Sequence, residues 1–129
     1  MVEEELTDGE RIARLLSSEV HGHERGALGR LSVVDAADDV DPTEAGTFAY
    51  AVADGERPLA EVYAHPDRAH VEFLTAAQAA AEAGQRAGLR VRPKAVDPPR
   101  TLVFVENGAE VKPALRVVRA VGEALEESG

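Results

Sequence analysis

Three alternating runs of apolar and polar residues fill positions 47–74, broken at Asp54-Gly55 and at His65-Pro66-Asp67-Arg68. A period of two bounded by turn residues predicts half-buried antiparallel strands. With Ala53 set opposite Pro58, the first hairpin places Val52 against Leu59, Tyr50 against Glu61 and Phe48 against Tyr63. A four-residue turn over 65–68 places Tyr63 against His70, Val62 against Val71 and Glu61 against Glu72; Pro66 suits the second position of a type I turn. One side then reads Ala49, Ala51, Ala53, Ala60, Val62, Ala64, Ala69, Val71, Phe73, with no polar residue. That side is expected to face the core, because a slip of one residue would expose all of it. The other side collects Phe48, Tyr50, Val52, Leu59, Glu61, Tyr63, His70 and Glu72.

Helical spacing flanks this meander. Thr7-Asp8-Gly9-Glu10 matches a capping box, and Ile12, Leu15, Leu16 and Val20 predict a helix over about 8–20 that Gly22 ends. Thr75-Ala76-Ala77-Gln78 matches a second capping box before an alanine-rich helix over about 76–87, with Gly88 placed for a left-handed cap. Val111, Leu115, Val118, Gly122 and Leu125 predict a last helix from about Glu110, with Pro113 in its first turn. Leu28 to Val34 reads as a short first strand. Leu89 to Val96 reads as an edge or bulged strand because of Pro93, and Thr101 to Glu106 as an interior strand. The fold class is therefore α+β: a mainly antiparallel sheet of five to six strands with about three helices packed on one face. Residues 1–129 form a single domain, with 1–6 and 126–129 expected to fray.

Composition narrows the setting. The chain has no cysteine, which excludes a disulfide frame and thiolate chemistry. No apolar run is long enough to cross a membrane, and the start, Met1-Val2-Glu3-Glu4-Glu5, is acidic where a signal peptide is basic. A cytoplasmic protein follows as the simplest expectation. The formal charge is -10, and only Lys94 and Lys112 are lysines. A strongly acidic shell stays soluble in high salt, where repulsion is screened, so the composition suggests salt adaptation. Most of the negative charge lies in residues 1–60. In contrast, Arg86, Arg90, Arg92, Lys94 and Arg100 stand against Asp97 alone within 86–100.

Candidate chemistry follows from the two polar faces. Opposed Glu61 and Glu72 are destabilising unless a cation, a metal or a shared proton answers them. An arginine from the 90–94 strand could do so, or a metal with His70 as a third ligand. The Arg90/Arg92/Lys94 ladder could grip an anion and, with Tyr50 and Tyr63, a single-stranded nucleic acid. The overall charge weighs against a polyanion. His21 and His23 lack a third ligand near in sequence, and the acidic stretch 35–46 lacks the spacing of a calcium loop. The familiar phosphate-loop, dinucleotide, zinc-protease and serine-hydrolase motifs are absent, which lowers the odds of an enzyme; no cofactor is implied. The segments HPDRAHVEF (65–73) and RPKAVDPPRTLVFVENG (92–108), in this composition, resemble a small haloarchaeal protein family of uncharacterised function, and the resemblance supplies no catalytic residues. The function expected is a non-enzymatic binding or interaction module using the mixed face, with Tyr50, Glu61, Tyr63, His70, Glu72, Arg90, Arg92 and Lys94 as its residues. A homodimer or protein partner on that face is compatible with this. The alternatives are an anion or nucleic-acid binder on the arginine strand, and a small metal or acid/base enzyme centred on Glu61, His70 and Glu72.

Overall fold

A computed structural model describes residues 6–22 and 29–128. Of the residues expected to fray, 1–6 and 126–129, those at 1–5 and Gly129 lie outside them, as does His23 in its loop; Leu6 is buried in the core and 126–128 form the end of the last helix. The elements are α1 (Gly9–His21), β1 (Leu31–Val34), β2 (Thr47–Asp54), β3 (Arg57–Ala64), β4 (Ala69–Phe73), α2 (Ala77–Arg86), β5 (Val91–Lys94), β6 (Arg100–Val105), a 3-10 turn (Gly108–Glu110) and α3 (Val111–Ser128). The strands form one antiparallel sheet in the order β1-β2-β3-β4-β6-β5. The protein is thus α+β, with β6 interior and the proline-bearing β5 at an edge.

The three described helices lie on one side of the sheet. Residues sharing that side include Ala60, Val62, Val71, Phe73, Val103 and Val105, and each is essentially inaccessible to solvent. They meet Ile12 and Leu16 of α1 and Val117, Val118 and Val121 of α3 in one apolar cluster. Small side chains let α2 sit close: a Cβ on Gly84 would stand 2.6 Å from a Val91 methyl carbon. Thr101 Oγ1 fastens the start of α2 by donating to the Ala77 carbonyl at 2.7 Å.

Two details depart from the pattern-based expectation. The β3–β4 register is as predicted, including Glu61 opposite Glu72 and Tyr63 opposite His70. In β2, however, the register shifts between Phe48 and Tyr50 and again between Val52 and Ala53. Tyr50 therefore pairs with Val62 rather than Glu61, and Val52 pairs with Ala60 rather than Leu59. Ala51, placed by alternation on the core side, pairs with Glu61 on the other. A bulge inserts one residue and flips the side chains beyond it, which strict alternation cannot anticipate. Tyr50 consequently turns to the helices, where its hydroxyl donates to the Ala13 carbonyl at 2.6 Å.

The caps differ as well. Asp8, not Thr7, caps α1: its Oδ1 accepts from the Arg11 N–H at 3.2 Å, while Glu10 pairs with Arg14 one turn on. Thr75 caps nothing; Ala76 precedes α2 in the left-handed region, φ 51°, with no side-chain cap. Only three residues separate β4 from α2, and the sheet pairing of Phe73 and the Thr101–Ala77 bond fix both ends of that turn. Gly88 does take the left-handed conformation foreseen for it, φ 76°.

Gly9 allows α1 to begin directly against the β3–β4 turn, since a Cβ there would run into the His65 and Arg68 carbonyls. Backbone cannot yield as a flexible side chain can. Gly9→Ala is therefore expected to destabilise by about 2 kcal/mol, although helix propensity alone would make alanine better by about 1 kcal/mol. A urea-unfolding midpoint equal to or above that of the parent would contradict this contact.

Candidate functional site

The side of the sheet away from the helices carries the polar network. Glu61 and Glu72 face each other across β3 and β4, and cations from the neighbouring strands answer them. Arg100 of β6 donates to Glu72 Oε2 at 2.7 Å and lies 3.9 Å from Glu61 Oε1. Lys94 of β5 donates to the same Glu72 oxygen at 3.1 Å. Glu72 is only 4% exposed. Burial alone would raise its pKa, but the bonds from Arg100 and Lys94 outweigh that and hold it below the usual carboxylate value. The Tyr63 hydroxyl donates to Glu61 Oε1 at 2.8 Å; burial, and then the neighbouring carboxylate, push its pKa up to about 12.

Next to the carboxylates lies an aromatic and imidazole layer. The Tyr63 ring stacks on His70 with centroids 4.9 Å apart and planes 14° apart, and Phe48 meets Tyr63 edge-on. His70 Nδ1 lies 2.8 Å from His65 Nε2, and His65 Nδ1 lies 2.9 Å from the Glu44 carbonyl. A carbonyl only accepts, so His65 Nδ1 carries a hydrogen. In a neutral His65, Nε2 is then an acceptor, and His70 must donate to it from Nδ1. The remaining His70 nitrogen, Nε2, is left with a bare lone pair. It is buried without a hydrogen-bond partner and lies 3.9 Å from Glu72 Oε1. Burial, with His65 beside it, lowers the His70 pKa to about 4, so the ring is neutral at pH 7.

The stretch 35–46 helps to enclose this layer. Thr47 Oγ1 donates to the Asp41 carbonyl at 2.7 Å, and Ala37 N–H donates to the Ala49 carbonyl at 2.8 Å. Gly46, φ 97°, brings the chain against the histidines: a Cβ there would lie 3.1 Å from the His65 ring and 3.4 Å from His70. Both its dihedral and its closeness require glycine. Between Ala45 and the β5 edge is a pocket of about 470 Å³, lined also by Tyr63, His70, Glu72, Arg92, Lys94 and Leu102.

The predicted residues thus divide. Glu61, Tyr63, His70 and Glu72 assemble as a group, with Lys94 bonded to it. Arg92 lines the same pocket and has no ion-pair partner among the described residues. Arg90 sits apart, paired with Glu106 at 3.0 Å and stacked 4.4 Å above the Phe104 ring. Tyr50 is on the opposite side of the sheet and does not contribute. His65, Gly46 and Phe104 were not singled out beforehand. The signal for His65 was the His-x4-His spacing across a four-residue turn, which sets the two rings at adjoining corners of a hairpin. Among the described residues no group of three His, Asp or Glu side chains is placed to hold a metal ion, so the Glu61/His70/Glu72 metal reading lacks its geometry. No described helix is long and apolar enough to cross a membrane.

The chain belongs to a family of unknown function, DUF7993. The match spans residues 1–129. The likeness drawn from residues 65–73 and 92–108 is met as far as a family without an assigned function; the match carries no organism. No curated protein and no solved structure matches the chain. Membership brings no reaction with it.

The depressed His70 pKa gives stability a direction with pH. Between about 6.5, the unfolded value, and about 4, the unfolded chain binds the proton that the folded one refuses. Native stability therefore falls as the pH drops through that window, by about 3 kcal/mol at most. Denaturation across the window should show a steeper fall for the parent than for His70→Gln; parallel curves would mean that His70 is not held neutral.

Proposed function

We propose that the protein is a salt-adapted cytoplasmic binding module and that the pocket between Ala45 and β5 is its site. One observation carries this reading. A buried carboxylate, a neutral histidine and a half-buried tyrosine are assembled beneath a pocket on the side of the sheet away from the described helices. Burying Glu72 requires two cations, and burying His70 leaves a polar atom unpaired. Such costs concentrate at functional sites, whereas plain folding is served as well by apolar residues. The volume falls in the range of small-molecule sites, about 300–1,000 Å³.

A small anion is the second reading, and Arg92 favours it. Of the three cations of the 90–94 segment, Arg90 and Lys94 are already engaged by carboxylates, and Arg92 alone meets none among the described residues. A single unpaired guanidinium suits one acid group better than a nucleic-acid backbone, which a chain of net charge -10 also repels.

Backbone amide NMR with a library of small polar fragments tests the site. Shifts are expected to cluster at Ala45, Tyr63, His70, Arg92 and Leu102. Binding confined to other surfaces would overturn the assignment. A dimeric mass by light scattering, with these amides at the contact, would instead give the face to a second copy of the chain.

A further inference from the structure

Two acceptors face each other at the floor of the pocket. His70 Nε2 is an acceptor because the Glu44–His65–His70 chain of hydrogen bonds spends its only hydrogen on His65. Glu72 Oε1 is the second; its sister oxygen takes both Lys94 and Arg100, and no donor among the described residues reaches Oε1. The two atoms lie 3.9 Å apart. Two lone pairs at that distance, one of them buried, repel unless a donor stands between them. A single nitrogen bearing two hydrogens can lie about 2.9 Å from each and satisfy both, as a water can, whereas a ligand hydroxyl has one hydrogen to give. A metal ion fits poorly. Bonds of about 2.1 Å to both atoms would have to open to about 140°, wider than a tetrahedral site allows, no third ligand joins them among the described residues, and Lys94 and Arg100 already sit on the same carboxylate.

The other end of the pocket has the opposite character. Arg92 pairs in register with Leu102, which pairs with Glu72. The free guanidinium and the two acceptors therefore stand on strands one apart, within the span of two side chains. We propose that the ligand of this pocket is a small amino acid-like molecule, its amino group seated between His70 Nε2 and Glu72 Oε1 and its acid group held by Arg92. This deepens the binding reading and rests on it. The lone pair is closed to solvent, so entry requires a shift of the side chains that line the pocket, Lys94 among them, whose side chain is 45% exposed.

The twenty common amino acids, screened singly by thermal shift, identify the best binder. Calorimetry then compares it with its deaminated and its decarboxylated analogues, while nitrogen NMR follows the His70 imidazole. The intact amino acid is expected to bind at least about tenfold more tightly than either analogue and to move the His70 Nε2 resonance. Arg92→Gln, at an exposed site, is expected to remove the advantage over the decarboxylated analogue only. If the deaminated acid binds equally well and still depends on Arg92, the amino-group inference falls and the binding reading stands. If no amino acid binds, the inference falls too, and the fragment mapping decides the binding reading by itself.

Discussion

Arg100 reaching between Glu61 and Glu72 is the contact on which the helix-free side of the sheet depends. The apolar pattern of β3 and β4 leaves no freedom in their register: Val62 must meet Val71, so the glutamates beside them must meet each other. Like charges in that position push neighbouring strands apart. Here Arg100 and Lys94 come from β6 and β5, the two strands beyond β4. The carboxylates thereby tie together four adjacent strands, alongside the Tyr63–His70–Phe104 ring contacts, the backbone bonds and the helix-side core. Burial of Glu72 makes the tie stronger than a surface ion pair and also obliges it to persist, since removing one partner strands a charge.

The bulge in β2 separates the two halves of the design. Up to Phe48 the strand contributes an aromatic edge to Tyr63 on the polar side. Beyond it, Tyr50 and Val52 turn to the helices, and Ala51 is the small residue opposite Glu61. A bulky side chain at that position would crowd the space beside the glutamate pair. The same flip explains why Tyr50, buried and bonded to Ala13, has its pKa raised by desolvation alone, whereas Tyr63 is tied to a carboxylate. Gly46 then brings the preceding stretch down onto the two imidazoles, so this side of the sheet acquires a wall without a helix.

Much of the architecture was legible because period and turn chemistry agree. Asp54-Gly55 and His65–Arg68 fix two hairpins, and the stripe from Val111 to Leu125 fixes α3. Pro93 marks β5 as an edge. Within the site, the opposition of Glu61 and Glu72 and of Tyr63 and His70 followed from register alone, and the need for a cation followed from that opposition. What could not be read is non-local or irregular. A bulge leaves no mark in alternation, so Tyr50 was assigned to the wrong side. The approach of Glu44 to His65 spans 21 residues of irregular chain, and nothing in those residue types announces it. The capping boxes failed for a related reason: tertiary ties at Gly9 and at Thr101 chose where each helix begins, overriding the local preference of Thr7 and Thr75.

The central claim is that Glu72 and Arg100 are energetically coupled rather than merely adjacent. A double-mutant cycle with Glu72→Gln and Arg100→Gln, read by chemical denaturation at one fixed salt concentration, measures that coupling directly. The account predicts a coupling energy of about 1.5–3 kcal/mol, the range for hydrogen bonds to charged groups. Effects that add to within about 0.5 kcal/mol would contradict it.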